Sequence, residues 1–237
     1  MVLNFAHRGS LTEAPENTLP AFQKAIDHGA QGLELDVQLT KDGHLVVCHN
    51  HTFLKYSRTE KGRIRDYTLK EVKQIDVGSV FSESFKGVTL PTLEEVLEIC
   101  PPDIKLNVEI KNIPVIYPGI EKRLLDCLAP FGLENVLISS FDHVALQKVQ
   151  AIAPDVELGM LFYYRILRAW EYAKNSGLQI SSIHPNNVYT DHEFVQSCMN
   201  YGYKVYPYTV NSIERYDELV DFGVDGVFSN NPEVFIK

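Results

Sequence analysis

Apolar residues recur along this chain in two alternating rhythms, and their alternation predicts the architecture. The run Val2-Leu3-Asn4-Phe5-Ala6 reads as a strand that delivers His7-Arg8-Gly9 at its C-terminal end. Helix-start chemistry follows at Asn17 and Thr18, and Leu19, Phe22, Ala25 and Ile26 then recur at helical spacing until Gly29. A second strand, Gly32-Leu33-Glu34-Leu35-Asp36-Val37, is followed by the turn signal Lys41-Asp42-Gly43. The short run 45–48, ending at His49, is read as an extension of that strand. Beyond residue 90, helices over 93–99, 120–128, 143–153, 167–175, 193–201 and 213–222 each precede a strand. Those strands fall at 105–110, 136–139, 157–161, 178–183, 204–208 and 226–228.

Repeated strand-then-helix order predicts a parallel sheet, and eight such units predict closure into a (β/α)8 TIM barrel, an α/β fold. A doubly wound open sheet is the alternative, but no GxGxxG turn supports it. The chain therefore reads as one domain over 1–237. Residues 50–90 break the rhythm with polar residues, Gly62, Gly78, Gly87 and one short helical stretch at 69–75. They read as a small insertion after the second strand, too long for a plain loop.

Composition narrows the function. At 237 residues the chain matches the length of one such barrel, about 250 residues. A formal net charge of −9 argues against a nucleic-acid partner or an anionic membrane surface. It does not exclude a phosphate substrate, because a bound cation reverses the field locally. Cys48, Cys100, Cys127 and Cys198 form no CxxC pair and read as free thiols of a reducing compartment. No leader-like segment opens the chain and no apolar run approaches about 18 residues, so a cytoplasmic protein without stable membrane insertion is expected.

The candidate chemistry begins at Glu34 and Asp36. Residues i and i+2 of a strand share a face, so two like charges point one way while Leu33, Leu35 and Val37 point the other. Burying such a pair costs several kcal/mol per ion, and a divalent metal is the simplest compensation. An edge strand with its acidic face in water is the duller account. Glu109 and Lys111 repeat the alternation in Asn107-Val108-Glu109-Ile110-Lys111. With His7 and His49 these groups fall at or near C-terminal strand ends, the face on which barrel active sites are built. Three carboxylates suit a hard cation, Mg²⁺ or Ca²⁺. Taken singly, each His reads as a hydrogen-bonded strand-end group, Glu109–Lys111 as an ion pair and Arg8 as a rim cap. Their convergence at one mouth is harder to dismiss.

At these residues the chain resembles the glycerophosphodiester phosphodiesterase family. The matching stretches are HRG, PENT, GLELDVQLTKDG and VVCHN, then VEIK at 108–111, Ser139-Ser140-Phe141, Tyr208-Thr209-Val210-Asn211 and Gly223-Val224-Asp225-Gly226. They keep the family's order from residue 5 to about 232. The resemblance implies a barrel with an insertion after its second strand and hydrolysis of glycerophosphodiesters to sn-glycerol 3-phosphate and an alcohol. It implies that Glu34, Asp36 and Glu109 ligate one divalent cation (Mg²⁺ or Ca²⁺, with Mn²⁺ a further candidate). His7 and His49 resemble the general acid/base pair, Arg8 and Lys111 the phosphate-binding cations, and Tyr208 an aromatic wall beside the glycerol.

The chain departs from the family pattern in three places. His49-Asn50 stands where His-Asp is usual, Tyr208 where Trp is usual, and Ser229-Asn230-Asn231-Pro232 where the family has Thr-Asp before the proline. Phe53, Tyr56, Tyr67, Phe81 and Phe85 in the insertion read mostly as its own small core, with one or two free to cover the leaving group or form a homodimer contact. Two rival functions accompany the first. A lysophospholipase D or phosphatidylinositol-type phosphodiesterase on the same barrel would need an apolar surface that the sequence does not display. A non-catalytic phosphodiester-binding barrel draws its support from Asn50.

Overall fold

The computed structural model describes residues 2–235, so Met1, Ile236 and Lys237 of the expected 1–237 domain lie outside the described residues. The strands are β1 (Leu3–His7), β2 (Gly32–Leu39), β3 (Leu45–Val47), β4 (Lys105–Ile110), β5 (Val136–Ser140), β6 (Glu157–Phe162), β7 (Ile180–Pro185), β8 (Lys204–Val205) and β9 (Gly226–Ser229). All but β3 are parallel, in the order β8-β7-β6-β5-β4-β2-β1-β9. β3 is not a continuation of β2 but its antiparallel partner, with Val37 opposite Val47. The expected strand over 204–208 shortens to two residues because Pro207 has no N–H for the ladder. The barrel closes there through single backbone bonds. Asp225 N–H donates to Val205 O at 3.1 Å, Phe228 N–H to Pro207 O at 3.0 Å and Val210 N–H to Phe228 O at 2.8 Å.

The helices are α1 (Leu19–Asp27), α2 (Leu69–Val72), α3 (Leu93–Ile99), α4 (Ile120–Leu128), α5 (His143–Ile152), α6 (Ala169–Asn175), α7 (His192–Asn200) and α8 (Ile213–Phe222). Caps fix several starts. Thr92 and Glu95 form a reciprocal capping box on α3, and Asp142, Asp191 and Ser212 cap α5, α7 and α8. α6 begins two residues later than its periodicity predicts, because Arg168 sits at φ 53 and Leu167 lies outside the helix.

The twofold period of the strands sorts the side chains. Leu33, Leu35, Val37, Leu106, Val108 and Ile110 face outward into a continuous apolar core with the helices. Inside, Phe5, Leu137, Tyr206 and Phe228 plug the lower barrel, Phe5 stacked on Phe228 at 4.9 Å. Two residues further along β1, β5 and the extended segment after β8 the inward position turns polar, at His7, Ser139 and Tyr208. The lower barrel is thus a packed floor and the upper end a polar mouth.

Residues 50–90 carry three short 3₁₀ turns and α2, which is shorter than the expected stretch at 69–75. Phe53, Tyr56, Ile64, Val72, Ile75, Val77 and Leu90 pack with Val46 and Cys48 into a second cluster, against which Tyr67 leans. Phe81 and Phe85 meet edge to face outside it at 5.5 Å. All four cysteines are free, as expected. Among the described residues no helix is long and apolar enough to cross a membrane.

Candidate active site

The mouth holds a cavity of about 210 Å³ lined by His7, Arg8, Glu34, His49, Glu109, Lys111 and Tyr208. These are seven of the eight residues expected from the sequence. The eighth, Asp36, is fully buried against it, with Arg8 Nε at 3.2 Å and Lys111 Nζ at 3.5 Å from its carboxylate. Arg8 and Lys111 thus both line this cavity and converge on Asp36, and Lys111 also pairs with Glu109.

Glu34, Asp36 and Glu109 are all buried, and one carboxylate oxygen of each lies within 4.8 Å of the others. β2 and β4 are neighbours with Asp36 opposite Glu109, so ladder register alone brings the third carboxylate to the first two. Lys111 Nζ donates to Glu109 Oε1 at 2.6 Å, and Arg8 N–H donates to Glu34 Oε2 at 3.0 Å. Asp36 Oδ1 is buried without a hydrogen-bond partner among the described residues, Lys111 Nζ standing 3.5 Å from it. Burial, reinforced by Asp36 and Glu109, pushes the Glu34 carboxyl well above the usual range, and burial lifts Glu109 to about 7. Burial opposes ionisation of Asp36 as well, but Arg8 and Lys111 outweigh it and hold that carboxyl below its usual value. Two groups that resist ionisation beside one that does not, with an orphaned oxygen between cations and carboxylates, can hold a hard divalent cation.

The two histidines are mounted alike. His7 Nδ1 lies 2.6 Å from Asn230 Oδ1, and His49 Nδ1 lies 2.7 Å from Asn50 Oδ1. With the amide oxygens accepting, each Nδ1 carries the ring proton and each Nε2 keeps a free lone pair. Burial, then the neighbouring Arg8 charge, lowers His7 to about 3, and burial lowers His49 as well. Asn50, a departure from the family pattern, therefore keeps an orienting contact while leaving out the charge of an Asp.

Several supporting residues escaped the sequence reading. Asn17, expected as helix-start chemistry, sits at φ 55 and donates Nδ2 to Asp36 Oδ2 at 2.8 Å. Thr18 does flank α1, but its hydroxyl donates to Pro15 O at 2.6 Å instead of capping. Glu16 accepts from Lys55 Nζ at 2.6 Å and from the Tyr56 hydroxyl at 3.1 Å. That hydroxyl accepts the backbone N–H groups of His49 at 3.1 Å and Asn50 at 2.8 Å, so the insertion fixes the His49 loop. The clustered polar residues of PENT were the available signal. Tyr208 does line the cavity, but its hydroxyl is committed to Phe162 O at 3.0 Å and its ring meets Phe141 edge to face.

Comparison with known proteins points to one family. The sequence pattern of the "Glycerophosphoryl diester phosphodiesterase family" matches residues 7–234. A glycerophosphodiester phosphodiesterase of Caldanaerobacter subterraneus subsp. tengcongensis is 41% identical over 237 residues, covering 99% of this chain and 96% of the relative. One from Bacillus altitudinis is 38% identical, covering 98% and 96%. Among solved structures, an Oleispira antarctica phosphodiesterase in complex with the product sn-glycerol-3-phosphate superposes with a TM-score of 0.89 at 30% identity, over 98% of this chain and 94% of that one. The match over nearly the whole chain and the identity to these relatives leave one assignment: the chain belongs to the glycerophosphoryl diester phosphodiesterase family.

Proposed function

We propose that this chain hydrolyses glycerophosphodiesters to sn-glycerol 3-phosphate and an alcohol, using a divalent cation held by Glu34, Asp36 and Glu109. The observation that carries the reading is the buried carboxylate triad sharing one cavity with Arg8, Lys111 and two amide-mounted histidines. With all three ionised, as cation binding would require, the carboxylates against two fixed cations leave one negative charge. A divalent ion turns that into one positive charge, the counter-charge of a phosphodiester. When bound, Mg²⁺, Mn²⁺ or Ca²⁺ would supply Lewis-acid polarisation of the phosphoryl group. Arg8 and Lys111 bind the anionic oxygens and offset charge that develops on them.

His7 and His49 divide the proton transfers. One takes a proton at Nε2 from the attacking hydroxyl as the new P–O bond forms; that hydroxyl belongs to water, or to the glycerol itself, in which case the cyclic phosphate so formed is opened by water in a second step. The other gives a proton to the departing alcohol oxygen as the old P–O bond breaks. Both rings are depressed in the free site, and an incoming phosphodiester anion favours the imidazolium that the acid step needs. Residues 1–237 act as one catalytic domain in this reading. The inserted 50–90 segment holds the His49 loop through Tyr56.

A second reading, a lysophospholipase D, is favoured by one observation. Tyr163 lines the cavity and leads into an exposed loop whose Tyr164 is 70% and Leu167 89% accessible. That strip offers an acyl chain a path out of the mouth. The test is release of glycerol phosphate from glycerophosphocholine and glycerophosphoethanolamine by the wild type, His7→Ala and His49→Ala. The expected result is wild-type turnover and a loss of about 10²–10⁴-fold in each variant. No release by the wild type would contradict the proposal, and turnover of lysophosphatidylcholine instead would favour the second reading.

A further inference from the structure

Below the carboxylates, two buried polar atoms on the cavity lining have no hydrogen-bond partner among the described residues: Asn107 Oδ1 and His184 Nδ1. Neither residue has a role in the chemistry above. Each is nevertheless rigidly built. Asn107 is 1% exposed and commits its other polar atom, Nδ2, to Ser139 Oγ at 3.0 Å. His184 is 0% exposed, pairs Nε2 with Ser182 Oγ at 2.8 Å, and is wedged against Tyr206 and Phe228 with ring centroids at 5.5 and 5.1 Å. Room for the ring exists because residue 159 is glycine. A Cβ there would come within 2.5 Å of His184 Cε1.

An unpaired buried polar atom is costly to a fold, and two on one small cavity call for a shared explanation. Apolar ligand atoms would leave both unpaired. A charged ligand group finds no counter-charge in this pair, since burial keeps His184 neutral, its value lowered to about 3. A hydroxyl both donates and accepts. It can give its proton to Asn107 Oδ1 and accept from His184 Nδ1–H, the tautomer in which the Ser182 hydroxyl donates to Nε2. We infer that Asn107 and His184 form a polyol subsite on the cavity floor, which reads a free hydroxyl on the glycerol half of the substrate. The inference deepens the reading of the chain as a glycerophosphodiester hydrolase and rests on it. The leaving alcohol needs no such group, so the floor selects for glycerol while the mouth stays permissive.

Binding tests this without relying on turnover. With Mg²⁺ present, calorimetry would compare sn-glycerol 3-phosphate with its two monodeoxy analogues, propane-1,2-diol 1-phosphate and propane-1,3-diol 1-phosphate. The wild type should bind glycerol phosphate at least about tenfold more tightly than one of the two, as expected when a buried polar group loses its partner. Asn107→Leu and His184→Phe should each collapse that ratio to about threefold or less, mainly by weakening glycerol phosphate. Melting curves would identify a variant that fails to fold, and the other then decides. Equal wild-type affinity for all three ligands, or a ratio unchanged in the folded variants, would overturn the subsite and assign the orphaned atoms to water. Glycerophosphocholine hydrolysis measured alongside keeps the two ideas apart. Its absence would sink the proposed function, and the binding ratio would still decide the floor.

Discussion

Asn17 donates its side-chain amide to Asp36 Oδ2 at 2.8 Å, with both residues closed off from solvent. The loop before α1 thereby aims one carboxylate of the triad. Donors behind a ligand typically contribute 10–100-fold to metal affinity. Asn17→Ala should weaken Mn²⁺ binding by that factor while Arg8 and Lys111 keep Asp36 ionised. Titration of metal-stripped protein checks this, and an unchanged affinity would count against the carboxylate set.

That contact also marks where sequence reading stops. Glu34, Asp36 and Glu109 were legible because a strand's period of two forces their common face, and β2–β4 register does the rest. Asn17 was misread because an Asn-Thr pair before a periodic apolar run is an ordinary helix start; the polar cluster of PENT hinted at a site, but not at a partner 19 positions away. Asn230 reaches His7 across 223 residues, a contact that exists only because the barrel brings its last strand beside its first. His184 was missed for a simpler reason. The apolar run predicted a strand ending at 183, whereas β7 continues through Pro185.

The amide mounts of the two histidines predict a pH effect. Asn50→Asp places a carboxylate on His49 Nδ1, which stabilises the imidazolium and raises a value that burial now depresses. If His49 is the base, the acidic limb of kcat/KM moves to higher pH; if it is the acid, the alkaline limb does. The limb that moves assigns the role. A profile with neither limb displaced would contradict the contact.

Stability should report the triad independently. Glu109 has a folded value of about 7, raised chiefly by burial, against 4.5 for the ordinary carboxyl. A raised carboxyl stabilises the metal-free fold below the unfolded value, and that contribution is lost as pH rises through about 7. Glu34 acts in the same direction. Added Mg²⁺ competes with those protons, so it should raise Tm more at pH 8 than at pH 5. Equal shifts at both would argue that the ion binds elsewhere.

Tyr56 ties the insertion to the His49 loop. Tyr56→Phe removes the oxygen that accepts two backbone N–H groups beside His49. A cost of about 1–3 kcal/mol in denaturant unfolding is expected. A fall in kcat of about tenfold should accompany it, with KM little changed, because His49 loses its fixed position. Full activity in a stable variant would show that the loop is held by other means.

The central claim is that Glu34, Asp36 and Glu109 hold the cation on which turnover depends. Its most direct measurement is glycerol phosphate release from glycerophosphocholine by chelator-stripped protein, then with Mg²⁺, Mn²⁺ or Ca²⁺ restored, in the wild type and in Glu109→Gln. The account predicts turnover that vanishes on stripping, returns with at least one cation in the wild type, and needs far more of that cation in the variant. Undiminished activity after thorough stripping would contradict it.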